Sequence, residues 1–212
     1  MNSRLLAVLG GSCLDAERMA QFADSAHIIV AVDAGYRNCI SSNFLPQIIA
    51  GDFDSVELNA VSEEVEHVPL FDQEHTDTAK LLAWCKERGY RRIHLICVEG
   101  GLPDHQLQIY FSAAASGLDV WFVFQHGLGR IITPWLGRIG ISTSLGTRVS
   151  LLPLTPCQGV NLVGTRWSLN SESLSPTGRS SISNAAEAEL VECSIQRGKA
   201  LLFWETNDVI WE

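Results

Sequence analysis

The first 124 residues alternate between short apolar runs and segments with helical periodicity, and this alternation constrains the fold more than any other feature. The apolar runs are LLAVLG (5–10), HIIVAVD (27–33), QIIAGD (47–52), RIHLICV (92–98) and DVWFVF (119–124), with EVEHVPL (64–70) as a further candidate. Helical patterns lie between them at about 15–24, 36–42, 77–88 and 105–116. Such alternation is typical of a parallel sheet covered by helices. We therefore predict an α/β, Rossmann-like domain over residues 1–127.

The remaining residues, 128–212, have a different pattern. Short candidate strands lie at 147–154, 158–163, 188–195 and 199–205, and turns separate them. The intervening stretch SLNSESLSPTGRSS (168–181) has few apolar residues and is expected to be a loop. Because no long helical pattern occurs here, we predict a C-terminal all-β domain, a sandwich or a partly open barrel.

Charge and apolar content exclude several classes of protein. The chain has 15 Lys and Arg against 24 Asp and Glu, a net charge of −9, which argues against a nucleic-acid partner. The apolar run near the N-terminus is too short for a signal peptide, and no stretch is long enough for a membrane span. The six cysteines form no CxxC pair, so reduced, buried thiols in a cytoplasmic protein are the expectation.

Acidic residues follow several of the predicted strands. Asp52 and Asp54 follow the run that ends at Gly51, and in an extended segment they would project to the same side with their Cα atoms roughly 6.5–7 Å apart. Phe53 would then point to the opposite side, toward the core. Asp33 closes the preceding strand, and Asp104 follows the strand at 92–98. These acids are expected at the carboxyl edge of the sheet, where such folds bind ligands.

Asp77 adds a further acid, because Thr76 is a predicted N-cap and Asp77 the first residue of the next helix. Converging carboxylates repel one another unless a cation compensates them. Arg37 and Lys80 are the nearby basic residues, and Mg²⁺, which binds carboxylates and phosphates, is the other candidate. The alternative is that each Asp only caps a turn.

Short motifs along the chain resemble those of the thiamin pyrophosphokinase family, in the same order and spacing. They are VDAG (32–35), PQIIAGDFDSV (46–56), TDTAK (76–80), GGLPDH (100–105), LLPL (151–154), GVNLVGTRWSL (159–169) and SISN (181–184). GDFDS is the most specific of these motifs, and together they span most of the chain.

The resemblance implies an enzyme, a thiamin diphosphokinase. It would transfer a diphosphate group from ATP to the hydroxyethyl oxygen of thiamin, giving thiamin diphosphate and AMP, with Mg²⁺ as cofactor. It also implies an N-terminal domain that binds nucleotide and Mg²⁺, a C-terminal β-sandwich that binds thiamin, and a homodimer with shared active sites. Large aromatic residues favour association as well, unless they fill the sandwich core. These aromatic residues are Trp167, Phe203, Trp204 and Trp211.

The resemblance further assigns roles to individual residues. The catalytic and Mg²⁺-binding acids would be Asp52, Asp54 and Asp77, and either Asp54 or Asp77 would accept the hydroxyl proton. Nucleotide binding is expected from Asp33, Lys80, Gly101, Asp104 and His105. Thiamin binding is expected from Trp167, Ser183 and Asn184. For Trp167, packing in the β-domain core is the alternative.

The sequence departs from the family pattern at several positions. Leu102 and Pro103 stand where the family has an arginine loop, and an expected asparagine is absent from residues 106–109. Ala79 and Ala185 replace two expected acids. Arg37 or Arg130 could substitute for the missing arginine. Two further functions therefore stay open: diphosphate transfer to another hydroxymethyl heterocycle, and a non-catalytic relic that binds nucleotide or thiamin.

Overall fold

The computed structural model describes residues 4–54 and 61–211, which form two compact units. The first unit comprises the described residues up to Gln125 together with residues 208–211, and the second comprises His126–Asn207. The division expected after residue 127 lies close to this boundary. Residues 208–211, however, belong to the first unit rather than the second.

The first unit is an α/β domain, as the alternating pattern predicts. Its strands pair in parallel in the order β6-β5-β1-β2-β3-β4. Its elements are β1 (Leu5–Val8), α1 (Ala16–Ser25), β2 (Ile28–Val32), α2 (Gly35–Ser41), β3 (Ile48–Gly51), β4 (Glu66–Pro69), α3 (Asp77–Glu87), β5 (Arg92–Ile96), α4 (Pro103–Ser116) and β6 (Asp119–Phe124). Every residue of the central strand β1 is buried, as expected for a strand covered on both faces.

Side-chain caps mark the beginnings of α1 and α3. The Asp15 side chain accepts a hydrogen bond from the Arg18 N–H at 2.9 Å and so starts α1. The Thr76 hydroxyl caps α3 in the same way. Gly89 follows α3 with a positive φ of 83°, the left-handed conformation that glycine commonly adopts just after a helix end.

The second unit consists of two antiparallel layers. One layer has the order β12-β9-β14-β7 and the other β11-β10-β13-β8. The strands are β7 (Gly127–Ile132), β8 (Ile139–Ser142), β9 (Arg148–Pro153), β10 (Cys157–Val163), β11 (Leu169–Leu174), β12 (Ser181–Ala185), β13 (Leu190–Ser194) and β14 (Ala200–Trp204). Leu151, Leu162 and Trp204 are inaccessible to solvent in its core. The predicted all-β sandwich is confirmed.

The expected loop over residues 168–181 is partly wrong, because Leu169–Leu174 forms β11. This strand lies at the edge of its layer and pairs only with β10. Its two buried apolar residues are Leu169 and Leu174, and the polar residues between them are exposed or half-buried. Strands are predicted from alternating apolar and polar residues. Because β11 has apolar residues only at its two ends, it lacks this alternation and was expected to be a loop.

The cysteines largely behave as predicted. All six are free thiols, and five of them are buried, whereas Cys13 is exposed. Burial raises the pKa of the Cys85 and Cys193 thiols to about 12, so both stay protonated and unreactive at neutral pH.

Candidate functional site

A cavity of about 290 Å³ lies at the carboxyl ends of the parallel strands in the first unit. Strand β1 lies between β2 and β5, so the loops that follow β1 and β5 run to opposite sides of the sheet. Gly10 and Gly11 from the first loop and Gly100 and Gly101 from the second line the cavity. This is the position at which doubly wound sheets bind nucleotides.

Asp33 is the buried acid of the cavity. It follows β2 and is only 7% exposed. One carboxylate oxygen, Oδ1, accepts a hydrogen bond from the Phe53 N–H at 3.1 Å, and the other, Oδ2, is buried without a hydrogen-bond partner among the described residues. Burial, together with the charges of Asp77, Asp52 and Asp54 and against the effect of the Phe53 hydrogen bond, raises the pKa of Asp33 to about 6.

The turn that carries Asp52 and Asp54 differs from the expected geometry. Strand β3 ends at Gly51, and Phe53 has a left-handed conformation with φ of 65°, so residues 52–54 are not extended. The Asp54 N–H donates to Asp52 Oδ1 at 3.3 Å, and the Phe53 ring lies 5.8 Å from the His67 ring rather than deep in the core. Both carboxylates are exposed, and Ser55 lies outside the described residues.

Gly51 explains how this turn can lie against Asp33. A Cβ atom at residue 51 would overlap all three carboxyl atoms of Asp33. Only glycine therefore permits the close approach between the end of β3 and the buried acid.

Asp77 and Lys80 form an ion pair at the start of α3. The Lys80 Nζ lies 2.7 Å from Asp77 Oδ1, and the Lys80 side chain is only 7% exposed. Burial alone would lower the pKa of Lys80, but the hydrogen bond and charge of Asp77, together with Asp52 and Asp33, raise it above its usual value. Lys80 is thus a buried cation that partly neutralises the acids.

The donor set suits a hard cation, although it does not enclose one. Within residues 4–54 and 61–211, no three Asp, Glu, His or Cys side chains lie close enough together to hold a metal ion by themselves. The unpartnered, buried Oδ2 of Asp33 and the exposed oxygens of Asp52 and Asp54 are nevertheless the ligands that Mg²⁺ prefers. Mg²⁺ commonly completes such a site with phosphate oxygens of its substrate.

Helix α4 supplies one wall of the cavity. Leu102, His105, Gln106 and Ile109 follow the helical period and line it, as does Gln108. The sequence identified His105 and Gly101 but not the glutamines, although the helical period from His105 would have indicated Gln108, three residues later. Asp104 is exposed and accepts from the His105 N–H at 3.0 Å, and it is not among the lining residues.

Basic residues contribute little to this wall. Among the described residues that line the cavity, none is Lys or Arg. Arg37 and Arg130, considered as substitutes for the missing arginine, are not among them. The positive charge that the structure shows against one of these acids is that of Lys80, which pairs with Asp77.

The second unit presents Trp167 at its surface. The residue lies between β10 and β11 and is 59% exposed, so the alternative of a core tryptophan is excluded. The guanidinium of Arg166 lies over its ring at 5.7 Å from the centroid. Arg166 in turn pairs with Glu187 at 3.0 Å. The exposed part of the ring is available to a ligand.

Ser183 and Asn184 lie in β12, but they differ in exposure. The Ser183 hydroxyl accepts from Arg148 Nη2 at 2.9 Å at the surface. Asn184 is only 2% exposed, and its amide is engaged within the unit. The structure therefore places Trp167 and Ser183, but not the Asn184 amide, where solvent can reach them.

Comparison with known proteins gives one consistent result. Residues 19–119 match the model of the thiamin pyrophosphokinase catalytic domain. Residues 138–200 match the model of the thiamin pyrophosphokinase vitamin B1 binding domain. The two matched segments lie one in each structural unit, and together they cover most of the chain.

Solved structures show the same fold. A thiamine pyrophosphokinase from Bacillus subtilis has a TM-score of 0.79 at 18% identity, covering 96% of this chain and 99% of that one. One from Geobacillus thermodenitrificans has a TM-score of 0.79 at 21% identity, with coverages of 95% and 97%. One from Candida albicans has a TM-score of 0.79 at 16% identity, with coverages of 96% and 90%.

Proposed function

The chain belongs to the thiamin pyrophosphokinase family, and from this premise we propose which of its residues carry out the family's reaction. The reaction is ATP-dependent transfer of a diphosphate group to thiamin. The hydroxyethyl oxygen of thiamin attacks the β-phosphorus of ATP, the bond from that phosphorus to the α-phosphate oxygen breaks, and AMP leaves. The observation that supports the assignment is that Asp33 and Asp77 line one cavity, while the turn that bears Asp52 and Asp54 is hydrogen-bonded to Asp33.

We place ATP in the cavity at the switch point of the parallel sheet. The glycine loops after β1 and β5, the second of which includes Gly101, let the backbone approach a phosphate closely, and His105 lies on the wall formed by α4. Lys80 contributes a positive charge beside Asp77. Asp104 faces solvent, so its part in nucleotide binding stays a prediction.

Mg²⁺ would be held by Asp52 and Asp54 with the help of Asp77. When bound, it would neutralise the phosphate oxygens and help align the attacking and leaving groups. Asp33 supports this site indirectly, because its Oδ1 accepts a hydrogen bond from the Phe53 N–H in the turn that carries Asp52 and Asp54.

Asp54 is the better candidate for the proton acceptor. The sequence leaves Asp54 and Asp77 open for this role. Both residues are exposed, but one oxygen of Asp77 is engaged by Lys80 Nζ at 2.7 Å. Asp54 could therefore approach the hydroxyl proton of thiamin with fewer competing contacts.

Thiamin would bind at Trp167. The thiazolium ring of thiamin is cationic, and an exposed indole attracts a cation by about 0.5–2 kcal/mol. We further propose that the enzyme is a homodimer with shared sites and that it works in the cytoplasm, where its free cysteines would stay reduced.

The metal assignment predicts a selective loss of Mg·ATP affinity in a double variant, Asp52→Asn with Asp54→Asn. Mg·ATP binding measured by calorimetry should weaken at least tenfold, because the substituted amides cannot neutralise the ion. Glu189→Gln with Glu205→Gln removes two exposed acids of the second unit and is a matched control that should bind normally. Unchanged affinity and unchanged turnover in the Asp variant would contradict the proposed site.

A further inference from the structure

We propose that Asn184 is a positioning residue, which holds the exposed Trp167 by both of its backbone groups and affects thiamin only through that residue. The inference rests on the proposed role of Trp167 in thiamin binding. It differs from the role that the family resemblance implies, in which Asn184 contacts thiamin.

The hydrogen bonds of Asn184 show the connection directly. Its Oδ1 accepts from the Trp167 N–H at 3.1 Å, and its Nδ2 donates to the Trp167 carbonyl at 2.9 Å. One side-chain amide thus binds both backbone groups of the same residue. Nδ2 also lies 3.3 Å from Thr165 Oγ1 and 3.1 Å from Ser181 Oγ, and Oδ1 accepts from the Ala185 N–H at 2.9 Å. Both polar atoms of the amide are therefore already engaged within the protein.

A bulge in β12 turns this amide inward. The pairing of β12 with β9 shifts register between Ser181 and Asn184, and Ser183 has a left-handed φ of 55°. Ile182 and Ser183 consequently both face outward, while Asn184 is buried. Such bulges commonly redirect a side chain near a functional site. At 2% exposure, Asn184 has almost no free surface with which to contact a ligand.

Further bonds fix the loop that carries Trp167. The Arg166 N–H donates to the Ala185 carbonyl at 2.9 Å, and the Glu187 N–H donates to the Gly164 carbonyl at 2.8 Å. Above the backbone, Glu187 holds Arg166 over the indole. A large exposed side chain is thereby ordered before any ligand arrives, which lowers the entropic cost of binding.

A double-mutant cycle on the full-length enzyme tests this role, with steady-state kinetics for thiamin and for ATP. Trp167→Ala should raise the thiamin KM by about 2–30-fold, the range of a cation–aromatic contact. Asn184→Ala should raise the same KM and leave the ATP KM unchanged. If Asn184 acts through Trp167, the double variant should be no worse than Trp167→Ala alone. Additive losses would overturn the proposal, because they would show that Asn184 affects thiamin independently of Trp167.

Two further variants separate positioning from general stability. Asn161→Ala is the matched control, since Asn161 Oδ1 also accepts a backbone N–H, from Ser171 at 3.0 Å, in the same unit. It should lower stability without changing the thiamin KM. Asn184→Asp keeps the shape of the side chain, and it replaces Asn184→Ala in these measurements if the alanine variant does not fold.

Hydrogen exchange supplies a readout that is independent of turnover. The Trp167 amide should exchange faster in either Asn184 variant than in the wild type. Slow exchange that is unchanged in these variants would contradict the positioning role. A different outcome is that Trp167→Ala leaves the thiamin KM unchanged, while the Trp167 amide still exchanges faster in the Asn184 variants. The proposed thiamin role of Trp167 then fails, and with it the functional part of this inference.

Discussion

Asp33 combines burial, a structural hydrogen bond and three neighbouring acids. Its Oδ1 supports the turn at Phe53, yet its Oδ2 is buried without a partner among the described residues. Such a carboxylate costs free energy unless a cation or a proton compensates it. We interpret this as a stability cost that is retained for function, as is common at active sites.

The variant Asp33→Asn should therefore stabilise the metal-free protein at neutral pH. The pKa of Asp33 is raised to about 6 from an ordinary value of 3.8, so the folded state holds this proton more tightly than the unfolded chain. The stabilisation that comes from protonated Asp33 is fully present below about pH 3.8 and is lost as the pH rises through 6. The substitution should add about 1–3 kcal/mol to the free energy of unfolding at pH 8 and little at pH 4.

Urea denaturation in the presence of EDTA, at pH 4 and at pH 8, measures this difference. Asp24→Asn, at an exposed acid of α1, is the control and should change stability by less than about 0.5 kcal/mol at both pH values. A destabilised Asp33→Asn protein at pH 8 would show that the carboxylate is compensated in the folded state. Turnover should fall in the same variant, because the acid cluster loses one charge.

Residue placement was partly predictable from the sequence. Strand ends are visible in the apolar runs, so the convergence of Asp33, Asp52 and Asp54 could be anticipated. The left-handed Phe53 and the inward turn of Asn184 could not, because both depend on contacts with distant residues: Asp33 for the first, and Thr165 and Trp167 for the second.

At the scale of elements, helices with strong local signals were predicted well. Helix α3 begins after its predicted cap Thr76 and ends before Gly89. Strands β7, β8, β11 and β12 had no such signal, because they are short and draw their stability from pairing with distant strands.

The position of the C-terminal segment, residues 208–211, also depends on contacts with distant residues and could not be predicted from local sequence. Residues 208–211 pack in the first unit, where His94 Nε2 lies 3.0 Å from the Ile210 carbonyl oxygen and the Trp211 ring is centred 4.3 Å from the His94 ring. No local pattern in residues 208–211 indicates a partner about 115 residues earlier in the chain. Trp211 thus belongs to the packing of the first unit.

For the whole molecule, the sequence predicted the fold class, the two-part organisation and the family. Among residues 4–54 and 61–211, no helix combines the length and apolar character needed to cross a membrane. Of the aromatic residues expected to favour association, Trp204 is completely buried, and Phe203 and Trp211 are half-buried. Trp167 is the strongly exposed one of the four. The case for a dimer therefore rests on the family and on Trp167.

Shared active sites predict complementation between the inactive variant Asp54→Asn and the weakly binding variant Trp167→Ala, both assayed at thiamin concentrations well below the KM. Asp54→Asn and Trp167→Ala, unfolded and refolded together, should form mixed dimers that each contain one intact site. Activity should then recover to about a quarter of the wild-type level, because half of the dimers are mixed and each has one of two sites. Mixed dimers that form but remain inactive would place each complete site within one chain.

A chain with these two domains is expected to make thiamin diphosphate. The most direct measurement incubates the pure wild-type protein with Mg·ATP and thiamin and quantifies AMP and thiamin diphosphate together. We predict the two products in equal amounts, with none when thiamin or Mg²⁺ is omitted and almost none from the Asp52→Asn, Asp54→Asn variant. Thiamin binding without AMP would instead indicate a non-catalytic relic. AMP released only with a different hydroxymethyl heterocycle would contradict the assignment of thiamin as acceptor.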